Sequence, residues 1–257
     1  MEAFLDPNVI VAFLTLTFLE IILGIDNIIF ISIITGKLPA DQQKKATRIG
    51  LLLAMFMRIA MLFGITWIIS MERAFFHIDW GWLNASITGQ SMILFAGGLF
   101  LLWKSTKEIH HKVDDRGAEE ASVAKKASTS FQSAIFQIIL IDMVFSVDSI
   151  LTAVGMTSGV PNALYIMVTA VVVSVAVMML FAIPISNFVN RNPSIQILAL
   201  AFLVLIGFML ITEAAHKSGA VAFGNAIGAI PKGYLYFAIA FSLGVEFLNM
   251  KRDKQQA

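Results

Sequence analysis

The sequence predicts an all-α polytopic membrane protein. Seven transmembrane helices are expected, arranged as a 3+3 inverted repeat plus one C-terminal helix, with the N-terminus outside and the C-terminus inside. Three observations lead there. The 257 residues are 58% hydrophobic and only 14% charged, where a soluble domain carries roughly a quarter charged residues. Windows of about 20 residues recur with almost no charge, enough to cross a bilayer as a helix. One acidic pattern occurs twice at a fixed spacing.

Composition excludes several classes. A net charge of +1 says nothing about a partner, and nothing resembles a nucleic-acid-binding patch, so no nucleic acid is expected as a partner. Cysteine is absent, which excludes a disulfide framework and thiolate metal sites. The opening residues "MEAFLDPNVI" are acidic and lack the basic start of a cleaved signal peptide. The first apolar run is therefore expected to stay in the protein as a membrane span.

The expected spans are 9–36, 47–70, 87–104, 131–158, 162–186, 195–213 and 233–250. They form one membrane domain: repeat one at 9–104, a cytoplasmic linker at 105–130 and repeat two at 131–213. An outer loop at 214–232 and the seventh helix at 233–250 complete it. The linker holds the longest polar stretch, "KSTKEIHHKVDDRGAEEASVAKKASTS". The outer loop contains "SGAVAFGNAIGAIP", glycine-rich and weakly apolar, and reads as a compact surface loop or an interfacial segment.

Charge gives the orientation. With the N-terminus outside, 14 Lys and Arg fall on the cytoplasmic side and 3 outside, leaving Arg58 within span two. That is the sign of the positive-inside rule. Trp80 and Trp82 suit an outer aromatic belt and Trp103 an inner one.

The duplicated pattern is the chemical signal. Residues 18–39 read "FLEIILGIDNIIFISIITGKLP" and residues 140–161 read "LIDMVFSVDSILTAVGMTSGVP". At an offset of 122, Glu20 aligns with Asp142, Asp26 with Asp148, Asn27 with Ser149 and Pro39 with Pro161. Span one runs inward and span four outward, so the copies are inverted. In transporters of that architecture the site lies near the midplane, between the repeats.

Carboxylates within a membrane span are costly and mark an ion path, a proton relay or a buried pair. Glu20, Asp26, Asn27, Asp142, Asp148 and Ser149 offer oxygen donors only. Such a set suits hard or borderline divalent cations such as Mn²⁺, Ca²⁺ or Mg²⁺. Met143 offers a softer thioether that would favour Mn²⁺. Positions i and i+6 of a straight helix lie about 9 Å apart along the axis and roughly 120° around it. Both acids of one copy can reach one ion only if the helix breaks. Gly24 and Ser146 are the expected weak points, with unwound carbonyls adding ligands.

Arg58 has two readings. One is a structural ion pair with one motif acid. The other is a tethered cation that fills the site and yields to the metal. Gln137, one to two turns before Asp142, could line a pathway. Glu213 and Glu246 near span ends, and His110 and His111 in the linker, read as solvated. A purely structural role for the acids fits poorly, because one arginine cannot balance four carboxylates.

"LEIILGIDNIIF", "ATRIGLLLAMFMRIAML", "GGLFLLWKSTKEIH", "DMVFSVDSILTAVGM" and "PKGYLYFAIAFSLGVEFLN" together resemble the TerC family of bacterial membrane proteins, over essentially the whole chain. The family takes its name from tellurium resistance, and several members are implicated in manganese export. The resemblance implies that Glu20, Asp26, Asn27, Asp142, Asp148 and Ser149 form a metal site in the bacterial inner membrane. It also supports seven spans and implies a short form without the soluble regulatory domains of longer relatives. Tellurite is an oxyanion and a poor ligand for an acidic pocket.

The expected function is export of a divalent cation, with Mn²⁺ as substrate ion and protons as a candidate counter-ion. No enzymatic activity and no organic cofactor are expected. The partners are the ion and the lipid bilayer, and the sequence leaves the oligomeric state open. Two alternatives stand. A metal sensor or scaffold could use the same acids without moving the ion. An intramembrane aspartyl protease would place two aspartates on neighbouring helices, but its Tyr-Asp and Gly-x-Gly-Asp motifs are missing.

Overall fold

A computed structural model describes residues 7–64, 73–117, 130–157 and 159–256. The side chains of Asn8, Ile25, Asp26, 114–117 and 253–256 lie outside that description, as do linker residues 118–129. Seven long helices are described: α1 (Pro7–Thr35), α2 (Ala40–Phe63), α3 (Gly89–Gly117), α4 (Phe131–Met156), α5 (Ala163–Arg191), α6 (Pro193–Lys217) and α7 (Lys232–Gln256). Six of them are long and apolar enough to cross a membrane. The exception is α3, whose apolar run ends at Trp103 while the helix continues through Lys104, Lys107, Glu108 and Lys112. Part of the expected linker is therefore helix.

Local chemistry sets several boundaries. Pro39 precedes α2 and Pro193 opens α6, where its missing N–H costs nothing. Ser130 caps α4 by accepting from the Ser133 N–H at 3.2 Å. At the start of α3, Ser91 N–H donates to Thr88 Oγ1 and Thr88 N–H to Ser91 Oγ, each at 3.0 Å. That reciprocal pair is a capping box built from two hydroxyls.

The chain is not all-α. Strands β1 (Ala74–Asp79), β2 (Leu83–Thr88), β3 (Val221–Ala222) and β4 (Asn225–Ala226) form one antiparallel sheet in the order β1-β2-β3-β4. Its last two strands come from the expected outer loop, so "SGAVAFGNAIGAIP" is a hairpin. Phe223 and Gly224 turn it with φ of 51° and 78°, positive at both central positions as a two-residue hairpin requires. A span-based reading misses β3 and β4 because periodicity needs more than two residues.

Two compact units emerge, and neither follows the linear repeats. The first takes α1, α2, α4 and α5; the second takes the sheet, α3, α6 and α7. In the first unit α1 packs mainly on α5 and α2 on α4. Direction follows from the contacts. A Cβ on Gly24 would meet Met178, and one on Gly36 would meet Asn190. Both pairs are 154 residues apart, so α1 and α5 run parallel. Glu20 meets Arg58 and Thr35 meets Thr47, so α1 and α2 run antiparallel. Gly50 approaches Ile138 and Arg58 reaches Asp142, so α2 and α4 run parallel. The two motif helices, α1 and α4, therefore point in opposite directions, as an inverted repeat requires.

In the second unit α3 and α6 cross closely and antiparallel. A Cβ on Gly98 would lie 2.7 Å from the Gly207 carbonyl oxygen, and one on Gly207 3.0 Å from that of Gly98. Lys112 donates to Gln196 one helix end away. The outside of the chain is apolar: Phe18, Phe56, Phe136, Leu180, Phe237 and Phe247 are exposed. A soluble protein rarely tolerates so much exposed apolar surface, whereas acyl chains solvate it.

Candidate metal centre

The site is built from the first unit. Glu20 and Asp142 stand near the middle of α1 and α4 and both are buried. Arg58 of α2 lies between them and is also buried. Its Nη1 pairs with Glu20 Oε2. Its Nη2 donates to Asp142 Oδ1 at 2.7 Å, and its Nε lies 3.1 and 3.3 Å from the two Asp142 oxygens. The contact with Asp142 is a fork of guanidinium on carboxylate, the strong form of such a pair. The aligned acids of the two inverted copies thus share one arginine. Arg58 pairs with two motif acids, where the ion-pair reading assigned it one.

Asn27 and Ser146 complete the shell. Asn27 Nδ2 donates to Asp142 Oδ1 at 3.0 Å and Ser146 Oγ donates to Asp142 Oδ2 at 3.2 Å. Asp142 therefore accepts from three helices: α1, α2 and its own. Asn27 Oδ1 is buried and has no hydrogen-bond partner among the described residues. A buried amide oxygen without a partner costs about 1–3 kcal/mol. It gives the site a neutral oxygen donor whose lone pairs are unspent. One guanidinium faces two carboxylates here, so the constellation carries an excess of acid.

The expected break in the motif helices does not occur. α1 is unbroken from Pro7 to Thr35 and α4 from Phe131 to Met156. The helix meets its geometric problem by choosing another partner. Positions i and i+7 lie about 10.5 Å apart along the axis and only roughly 20° around it. Glu20 and Asn27 have that spacing and share a face, as do Asp142 and Ser149. Arg58, long enough to reach from Glu20 to Asp142, closes the axial gap. Asp148, at i+6 from Asp142, falls on another face by the same geometry. Gly24 is not a hinge: it is buried where α5 crosses, and Met178 occupies the place of a Cβ. Ser146 is not a weak point either, being held to Asp142.

Ser149 is buried but donates to the Ser146 carbonyl at 3.3 Å, one turn back on its own helix. Asp148 is half-buried, and its carbonyl accepts from Thr152 Oγ1 at 3.0 Å. The Asp26 side chain lies outside the described residues. Gln137 Nε2 donates to Ser133 Oγ at 3.1 Å along α4, away from the acids. Among the described residues no three His, Cys, Asp or Glu side chains gather at one point.

A small cavity of about 10 Å³, room for one water-sized particle, adjoins the ion pair. Asn27, Arg58, Asp142 and Met178 line it with apolar residues of all four helices. Its methionine is Met178, not the expected Met143, which is half-buried on α4 and does not line the cavity. Sequence reading passes over Met178 because "VMML" looks like packing. The only local hint is Gly24, whose missing side chain makes room for it from a helix 154 residues on.

Comparison with known proteins agrees with the architecture. Residues 5–255 match the family described as "Integral membrane protein TerC family". The UPF0053 inner membrane protein YgdQ of Escherichia coli K12 is 46% identical over 250 residues, 97% of this chain and 96% of the relative. A UPF0053 protein of Haemophilus influenzae is 42% identical over 246 residues, 96% and 95% of the two chains. The UPF0053 inner membrane protein YoaE of E. coli K12 is 40% identical over 249 residues, which are 97% of this chain but 44% of that protein. No solved structure matches. The full-length match, the apolar helices and the named relatives agree: the chain belongs to the TerC family of integral membrane proteins and is a multi-pass protein of the inner membrane.

Proposed function

We propose that this protein exports a divalent metal cation, Mn²⁺ foremost, from the cytoplasm through the buried constellation of Glu20, Asn27 and Asp142. One observation carries the reading. The aligned acids of two inverted copies converge near the middle of membrane helices on a single arginine, beside a buried amide oxygen with no partner. A structural ion pair needs one acid for one base. An excess of acid, together with unspent oxygen, suits a site that exchanges cations.

In the described arrangement Arg58 neutralises part of the acidic charge. A divalent ion competes for the same Asp142 oxygens, so ion binding and Arg58 pairing exclude each other. Asp26, Asp148 and Ser149 then serve as entry or exit donors, reached as helices of the two repeats shift. In this reading the chain crosses the membrane seven times with the N-terminus outside, the orientation in which most Lys and Arg lie in the cytoplasm. Protons are the proposed counter-ion, since a carboxylate that releases a metal takes up a proton. The protein acts without an organic cofactor and catalyses no bond chemistry.

The test is flux in proteoliposomes containing only the purified protein, across Mn²⁺, Ca²⁺, Mg²⁺ and Zn²⁺. Transport of Mn²⁺, lost in Asp142→Asn and reduced in Asp26→Asn and Asp148→Asn, supports the reading. Flux indistinguishable from empty liposomes overturns it. Binding without flux would instead make the site a sensor.

A further inference from the structure

We infer that Met178 is the specificity-determining residue of this site, supplying a thioether that favours transition-metal cations over Mg²⁺ and Ca²⁺. The inference rests on the cation-binding reading above and refines it. Met178 is buried in α5 and lines the same cavity as Asn27 and Asp142. Its thioether lies against α1. Its Sδ and Cε lie 2.3 Å from where a Cβ on Gly24 would be, so any side chain at that point would push the flexible thioether end aside. Gly24 belongs to the acidic motif, four residues after Glu20 and three before Asn27. The first copy of the motif thus contributes a slot for sulfur as well as oxygen ligands.

The chemistry separates two groups of ions. Carboxylate and amide oxygens bind Mg²⁺, Ca²⁺ and Mn²⁺ alike, differing mainly by size and coordination number. A thioether is soft and polarizable. It adds little for Mg²⁺ or Ca²⁺, more for first-row transition ions, and most for soft ions. One sulfur among oxygens therefore biases the site without making it a trap. The cavity has water-sized room, enough for one dehydrated cation once the guanidinium moves aside. An apolar leucine of similar volume would fill the same slot and offer no lone pair.

The experiment is competition binding on the purified full-length protein. Mn²⁺ is followed by its paramagnetic resonance signal and displaced by Cd²⁺ or Ca²⁺. Met178→Leu conserves volume and should leave folding intact. The expected result is that the advantage of Cd²⁺ over Ca²⁺ falls by about tenfold or more, the scale on which single contacts near a metal act. Ca²⁺ binding itself should hardly move. Gly24→Ala, which pushes the thioether out of its slot, should shift the ratio in the same direction, and Met178→Leu/Gly24→Ala no further. An unchanged Cd²⁺-to-Ca²⁺ ratio in Met178→Leu overturns the inference and leaves the transport proposal standing. Selective binding that depends on Met178, without flux in liposomes, upholds the inference and overturns transport. Wild-type protein that binds no divalent cation overturns both.

Discussion

Arg58→Met tests the energetics of the centre most directly. Methionine keeps much of the side-chain length and removes the charge and all donors. The substitution deletes the pair to Glu20 and the fork on Asp142, stranding two buried carboxylates side by side. Breaking a buried ion pair by removing one partner costs about 3–5 kcal/mol. Two acids lose their partner here, which places the expected loss at the upper end of that range. For a chain of this size 1 kcal/mol shifts the midpoint by roughly 2–4 °C, so thermal unfolding in detergent should fall by about 10–20 °C. The second variant fixes the cause. Arg58→Met/Asp142→Asn removes one stranded charge and should regain part of the lost stability, becoming more stable than Arg58→Met alone. A midpoint unchanged in the single variant, or lower still in the double one, would refute the electrostatic account.

If a divalent ion and the guanidinium compete for the same oxygens, Mn²⁺ should raise the melting temperature of Arg58→Met more than that of wild type. Asn27→Leu removes both the bond to Asp142 and the unpartnered oxygen; a Mn²⁺ titration should show affinity falling by about tenfold or more. Gly98→Leu drives a side chain into the Gly207 backbone and should cost about 1–3 kcal/mol, read from the denaturation midpoint. Metal affinity should fall on acidification, because protons and metal compete for the same carboxylates; a dissociation constant that does not rise as acid is added, measured calorimetrically, would contradict this. The chain has no native cysteine, so single cysteines at Lys44 and Trp82 should react with impermeant reagents from opposite faces, cytoplasmic and external.

Membrane class, the positions of most spans and the inverted motif were legible from composition, charge and a 122-residue offset. These are properties of the chain taken locally: bilayer thickness fixes span length, and backbone satisfaction in lipid leaves helix as the default. Buried Glu20 and Asp142 were legible too, since a carboxylate in an apolar run has few explanations, whereas Asp148 is only half-buried and Glu108, buried in α3, was read as part of the polar linker. Two of the expectations that failed show where local reading ends. A broken helix was inferred by assuming that Glu20 and Asp26 must face one ion. The continuous helix uses Glu20 and Asn27 instead, two turns apart on one face, and lets a long arginine span the gap. The hairpin at 221–226 was read as a loop because strands of two residues carry no period of their own. They exist through pairing with β2.

By itself, the sequence determined that this is a polytopic membrane protein with paired acids in inverted copies, because hydropathy and charge act residue by residue. Only the tertiary structure decided which acids meet, that one arginine serves both, and that a methionine far along the chain fills the space above Gly24. Those outcomes depend on how helices cross, and crossing is set by side chains distant in the chain packing against one another. No local pattern encodes that Gly24 lies beneath Met178; the contact arises because α1 and α5 run parallel and close, where a missing Cβ on one leaves room for a thioether from the other.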